Sequence, residues 1–130
     1  MNAFLSGALE TAGLPGGDVR RDAAERAAAM AMPTPEQEVW RYSRIGDLHL
    51  DRFRPVAATT TVSGANGYLV EDHDVDTSRV HDLFDELNTA FHTATVVSIP
   101  RNAVAGETIV VTHHAPEAGS ASFPRLVIDA

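Results

Sequence analysis

The chain has 130 residues, 44% hydrophobic and 22% charged, with a formal net charge of −8, which is length and apolar mass for one domain with a modest core, or one domain and the start of another. All ten basic residues are Arg, and an acidic chain without a basic cluster is a poor partner for nucleic acid or an anionic membrane surface. With no Cys, disulfides, thiolate ligands and a thiol nucleophile are excluded.

No apolar run reaches the roughly 20 residues of a membrane span, and the N-terminus lacks the basic start and apolar centre of a signal peptide. A cytoplasmic protein is the expectation. Residues 2–12, NAFLSGALETA, place Phe4, Leu5, Ala8, Leu9 and Ala12 on one helical face. Asn2 suits the cap and Gly13 the end. Leu14–Asp18 reads as a turn. Asp18 then caps a second helix from Val19 to about Met32, with Asp22 and Arg26 as an i,i+4 pair. Its Ala-rich face buries little area, so a surface or lid helix is expected.

Pro33-Thr34-Pro35-Glu36-Gln37 reads as a sharp helix start, with Thr34 as cap, Pro35 at the first position and Gln37 closing a capping box. Val39, Trp40 and Tyr42 supply the bulk of this third helix, and Trp40 is read as its anchor to a neighbour rather than as a stacking platform for a base or sugar. Farther on, 57–62 and 68–70 are β-prone and Asn66-Gly67 is a hairpin turn signal, so a small two-stranded element is expected.

Asp72, Asp74 and Asp76 have the 1-3-5 spacing of a calcium loop. Thr77 stands where that loop needs Gly and Leu83 where it needs Glu, so a solvated acidic loop is expected, with Asp76 capping the next helix. That helix, 77–91, is the clearest in the chain. Val80, Leu83, Phe84, Leu87, Ala90 and Phe91 follow the i, i+3, i+4, i+7 rule, with Asp82, Asp85 and Glu86 on the wet side. Two runs rich in Val, Ile and Thr follow, 95–99 and 107–113, punctuated by Pro100-Arg101-Asn102 and Ala105-Gly106. A third run, 126–128, lies near the C-terminus. Everything before residue 77 reads as a helical preface to this β segment.

His113-His114 with Glu117 is the candidate site. Together with Gly106 these residues resemble a cupin metal motif. A cupin uses His-x-His, however, and adjacent strand residues point to opposite faces. The expectation is one inward and one outward His, with no catalytic, cofactor or metal residue assigned. No nucleophile elbow, phosphate loop or paired carboxylate site appears.

The segment Pro33-Thr34 followed by Trp40-Arg41-Tyr42 resembles the N-terminal region of SufD proteins, although Ser43-Arg44 departs from the family's Thr-Pro. Leu87-Asn88-Thr89-Ala90-Phe91 and Val97-Ser98-Ile99-Pro100-Arg101-Asn102 are similar to the helix end and first strand that open the core of SufB and SufD proteins. Phe123–Ile128 resembles their next strand. The order and spacing fit over most of 30–130. The resemblance implies an iron–sulfur cluster assembly protein of the SufD type, a non-ATPase, non-catalytic component of a cytoplasmic SufBCD scaffold complex. Its partners would be a SufB-type paralogue and a SufC-type ATPase. The implied fold is α+β: an N-terminal helical region with a small β-hairpin over 1–92, then the first strands of a right-handed parallel β-helix over 93–130. On this reading the chain is a truncated piece that lacks the family's cluster-handling and main ATPase-contact positions. Self-association through residues 94–130 is then expected. The alternatives are a small cupin-like metal-dependent enzyme using His113, His114 and Glu117, and a plain α+β interaction module.

Overall fold

A computed structural model describes residues 17–70 and 82–130. The helix expected over 2–12, the acidic loop with Asp72, Asp74 and Asp76, and the segment 77–81 with Val80 lie outside the described residues.

Helix α1 spans Asp18–Ala29, with Gly17 rather than Asp18 at the cap position. Asp18 is instead its first residue and pairs with Arg21 at 3.2 Å. Acidic Asp18 in the first turn and Arg26 in the last both suit the helix dipole. The helix stops short of Met32 because Met30 is already extended, a few residues before Pro33, which cannot continue a helix. The helix lies at the surface, with Val19, Arg21, Asp22, Glu25 and Arg26 exposed, and its Ala-rich face packs closely: Ala23, Ala24 and Ala27 are buried in the main core, because small side chains let a second helix approach closely.

That second helix, α2, spans Leu83–Phe91 and is capped by Asp82, whose Oδ1 accepts from the amides of Phe84 at 2.8 Å and Asp85 at 3.0 Å. Two of the otherwise orphaned first-turn donors are thereby satisfied. Leu83, Leu87, Ala90 and Phe91 are buried as the periodicity requires, and form one cluster with Leu50 and the three α1 alanines. Phe123 extends this core from the sheet side, its ring 5.8 Å from that of Phe91.

The third helix is corrected. In its place are three single 3-10 turns: Glu38–Trp40, Ile45–Asp47 and Leu50–Arg52. Val39 is 83% and Tyr42 93% exposed, so the segment has no continuous apolar stripe to hold an α-helix against the core. The Thr34 side chain bonds Glu36, holding that carboxyl below its ordinary range, instead of sharing a capping box with Gln37. Trp40 does anchor the segment, its ring centroid 5.1 Å from that of Phe84.

The strands are β1 Arg54–Pro55, β2 Thr59–Ser63, β3 Leu69–Val70, β4 His92–Ser98, β5 Val110–His114, β6 Ser120–Ala121 and β7 Phe123–Asp129. They form three small sheets: β1 with β6 (parallel), β2 with β5 (antiparallel), and β3-β4-β7 with β4 central. The expected hairpin is corrected. Asn66 and Gly67 do take positive φ, 41° and 91°, and the Tyr68 amide donates to the Ala65 carbonyl at 2.8 Å, as a primed turn requires. Yet β2 leaves to pair with β5, and β3 pairs with β4. The turn residues bend the chain without deciding which strands meet.

Strands β4 and β7 run parallel, from His92 opposite Phe123 to Ser98 opposite Asp129, each residue 31 positions from its partner. A parallel return needs a long crossover. Here the crossover contains no helix but two further strands, β5 and β6, each in a different sheet. The fold is thus mixed α+β, with two helices and small sheets among the described residues. Among those residues no helix is long and apolar enough to cross a membrane.

Candidate functional site

Strand β5 carries His113 and His114 to the end of the β2–β5 ribbon. Neighbouring strand residues face opposite ways, and each His meets a different Thr of β2. His113 Nδ1 lies 2.8 Å from Thr60 Oγ1, and His114 Nε2 lies 3.1 Å from Thr61 Oγ1. The expectation of one inward His is corrected, since both are exposed. Among the described residues the ribbon has two strands, and none of its residues belongs to the main core cluster. Glu117 lies beyond Ala115-Pro116 and is engaged by the Arg54 guanidinium, which donates to its Oε1. Gly106 meets nothing within 4 Å of where a Cβ would stand. His113, His114 and Glu117 therefore have separate partners. Among the described residues no group of three or more His, Cys, Asp or Glu could hold a metal ion.

Two polar arrangements joining α1 to α2 were not foreseen from the residue pattern. Glu86, expected on the wet side, is 4% exposed. The Arg26 Nε donates to its Oε1 at 2.6 Å and Nη2 to its Oε2 at 3.1 Å. This fork is the bidentate geometry that best matches a guanidinium to a carboxylate. The bond to Glu86 raises the Arg26 pKa, and Asp22, its expected i,i+4 partner, adds a lesser attraction. The two partners lie 60 positions apart in the chain, beyond the reach of any local pattern.

The second arrangement closes the C-terminus of α2. Arg20 Nη1 donates to the carbonyls of Ala90 at 3.0 Å and His92 at 3.1 Å. His92 Nδ1 lies 2.9 Å from the Asn88 carbonyl, so Nδ1 carries the proton and donates. A cation and a donor at a helix C-terminus satisfy orphaned carbonyls. Burial lowers the His92 pKa, and the charges of Arg20 and, less strongly, Arg125 lower it further, against the raising effect of the bonds to Asn88 and Thr89. With the folded pKa below the ordinary value of about 6.5, the unfolded chain binds the proton more readily. This contribution to stability is complete above the unfolded pKa and is lost as pH falls through the folded one. Unfolding free energy should therefore fall more steeply between pH 7 and pH 5 for the parent protein than for His92→Gln. Parallel slopes in urea titrations across that range would show that His92 is not the source.

Comparison of the chain with protein-family models, curated proteins and solved structures gives no match.

Proposed function

We propose that this chain is the N-terminal part of a SufD-type component of an iron–sulfur cluster scaffold complex, non-catalytic by itself. The observation that carries the reading is the return of β7 onto β4. A parallel pair joined by a path through two other small sheets is the layout expected of the first turn of a β-solenoid. A helical preface precedes it, as in SufD proteins, and supplies the core: α1, the 3-10 turns and α2. Several of the residues behind the resemblance lie where this reading would have them, although Trp40-Arg41-Tyr42 is not α-helical and Ile99–Asn102 lie beyond β4. Trp40 packs against Phe84, Leu87–Phe91 ends α2, Val97-Ser98 ends β4, and Phe123–Ile128 lies in β7. The partners are then a SufB-type paralogue and a SufC-type ATPase, and the setting is cytoplasmic. The cupin-like alternative has less support, because Glu117 is held by Arg54 and the two histidines by different threonines.

The test is a graft. A SufD-type protein whose N-terminal part is replaced by this chain should restore iron–sulfur enzyme activity to cells lacking SufD. It should also co-purify with the SufB-type and SufC-type partners. A soluble chimera that does neither overturns the assignment. The chain alone has no thiols, so anaerobic reconstitution followed by desalting should leave no stoichiometric iron and sulfide, and with no phosphate loop in its sequence it should not hydrolyse ATP. A retained cluster would contradict the reading that the chain alone handles no cluster, and ATP hydrolysis the non-catalytic one.

A further inference from the structure

Asn66 and Asn102 share a backbone conformation. Both are exposed and both stand in the left-handed region, with φ of 41° and 66°, which Asn tolerates better than most residues with a side chain. The residue after each differs. Ala103 follows Asn102, and its amide donates to the Pro100 carbonyl at 2.9 Å. Gly67 follows Asn66. Among the described residues its amide has no backbone acceptor, and nothing lies within 4 Å of where its Cβ would stand. A side-chain carboxamide is open to attack by the backbone nitrogen of the next residue, which closes a five-membered ring. At Asn102 that nitrogen is engaged, and the Ala103 Cβ crowds it. At Asn66 it is unengaged, and glycine turns freely toward the geometry of the ring.

We propose that Asn66-Gly67 is a self-modification site, at which deamidation releases the loop before β5 from the turn after β2. Solvent takes the proton from the Gly67 nitrogen, which bonds to Asn66 Cγ. The Cγ–Nδ2 bond breaks, and Nδ2 leaves as ammonia with a proton returned by solvent. Water then adds to one of the two carbonyls of the cyclic imide. Cleavage of one C–N bond leaves Asp at position 66. Cleavage of the other leaves isoaspartate, with the main chain longer by one carbon. Either product carries a carboxylate where the carboxamide stood. In the intact chain Asn66 Nδ2 donates to Glu107 Oε2 at 3.3 Å, across 41 positions. The product has no such donor and sets two carboxylates against each other. Glu107 precedes Thr108, whose carbonyl lies against Gly64, so the lost bond is one of two contacts that hold this loop to the end of β2. Isoaspartate also lengthens the turn in which the Tyr68 amide donates to the Ala65 carbonyl.

Peptide mapping of the whole chain, held folded in mildly alkaline buffer, should find a gain of one mass unit at residue 66, part of it as isoaspartate. Conversion there should outrun conversion at Asn102 by roughly tenfold or more. Asn66→Gln should stay unmodified over the same period, because its longer side chain has to close a larger ring. Asn66→Asp carries the charge of the product without ageing. In that variant amide exchange at Tyr68 and Val110 should quicken by roughly threefold or more, and adding Glu107→Gln, which removes the facing carboxylate, should return it to the parent rate. The mapping uses the parent chain and does not depend on how any variant folds. Equal conversion at the two asparagines overturns the site. Conversion at Asn66 with exchange unchanged in Asn66→Asp, or exchange that Glu107→Gln fails to restore, overturns the release of the loop.

Discussion

Leu87→Ala should lower the unfolding free energy by roughly 2–5 kcal/mol, the range for truncating a fully buried Leu whose surroundings relax only in part. Leu87 has no exposed surface. It lies in the cluster where α1 presents Ala23, Ala24 and Ala27 to α2, with Leu50 and Phe91 closing the same core. Alanine side chains on the facing helix cannot reach into the space left behind, which argues for the upper half of the range. Urea unfolding should show a lower midpoint with an unchanged slope, the signature of lost stability rather than altered compactness. Val39→Ala is the control. Val39 is as apolar as Leu87 but exposed on a 3-10 turn, so its loss should stay within about 0.5 kcal/mol. A Leu87→Ala loss below that figure would mean that α2 does not bury the face assigned to it.

The contrast between Leu87 and Val39 marks what was legible in the residues. The face of α2 could be read because Leu83, Leu87, Ala90 and Phe91 repeat with the helical period, and that repeat is a property of the segment alone. Strands β4 and β7 were legible for the same reason, through Val, Ile and Thr enrichment. What failed depended on a remote partner. The burial of Glu86 is set by Arg26 on another helix, and without that partner a carboxylate flanking an apolar stripe reads as solvated. The Val39-Trp40-Arg41-Tyr42 run looked like a helix because its start signals are strong, but start signals do not supply an apolar stripe. Asn66-Gly67 specified a turn and obtained one, while the identity of the strands that pair was decided by β5 and β4. At the candidate site, adjacency alone correctly separated His113 from His114. Their common exposure was not legible, because it depends on which face of the β2–β5 ribbon the rest of the fold covers.

The same dependence on a remote contact sets the largest backbone effect expected here. Gly64 follows β2 with φ of +74°, and a Cβ built on it would stand 2.3 Å from the Thr108 carbonyl oxygen. Two separate penalties therefore meet at one residue. An L side chain in the left-handed region is strained by about 1–2 kcal/mol, and forcing atoms into a packed contact costs typically another 1–3. The obstructing atom is backbone just before β5, so relief requires the β2–β5 ribbon to separate at that end, where Ser63 faces Val110. Gly67 isolates the first penalty, having φ of +91° with nothing within 4 Å of its would-be Cβ. Gly64→Ala should thus lower the unfolding free energy by roughly 2–5 kcal/mol, and Gly67→Ala by about 1–2. Amide exchange at Val110 and Val111 should quicken in the Gly64 variant and stay unchanged in the other. Equal losses at the two glycines, with β5 amides unaffected in both, would show that the loop before β5 does not press on Gly64, and that conformational strain alone explains why glycine stands there.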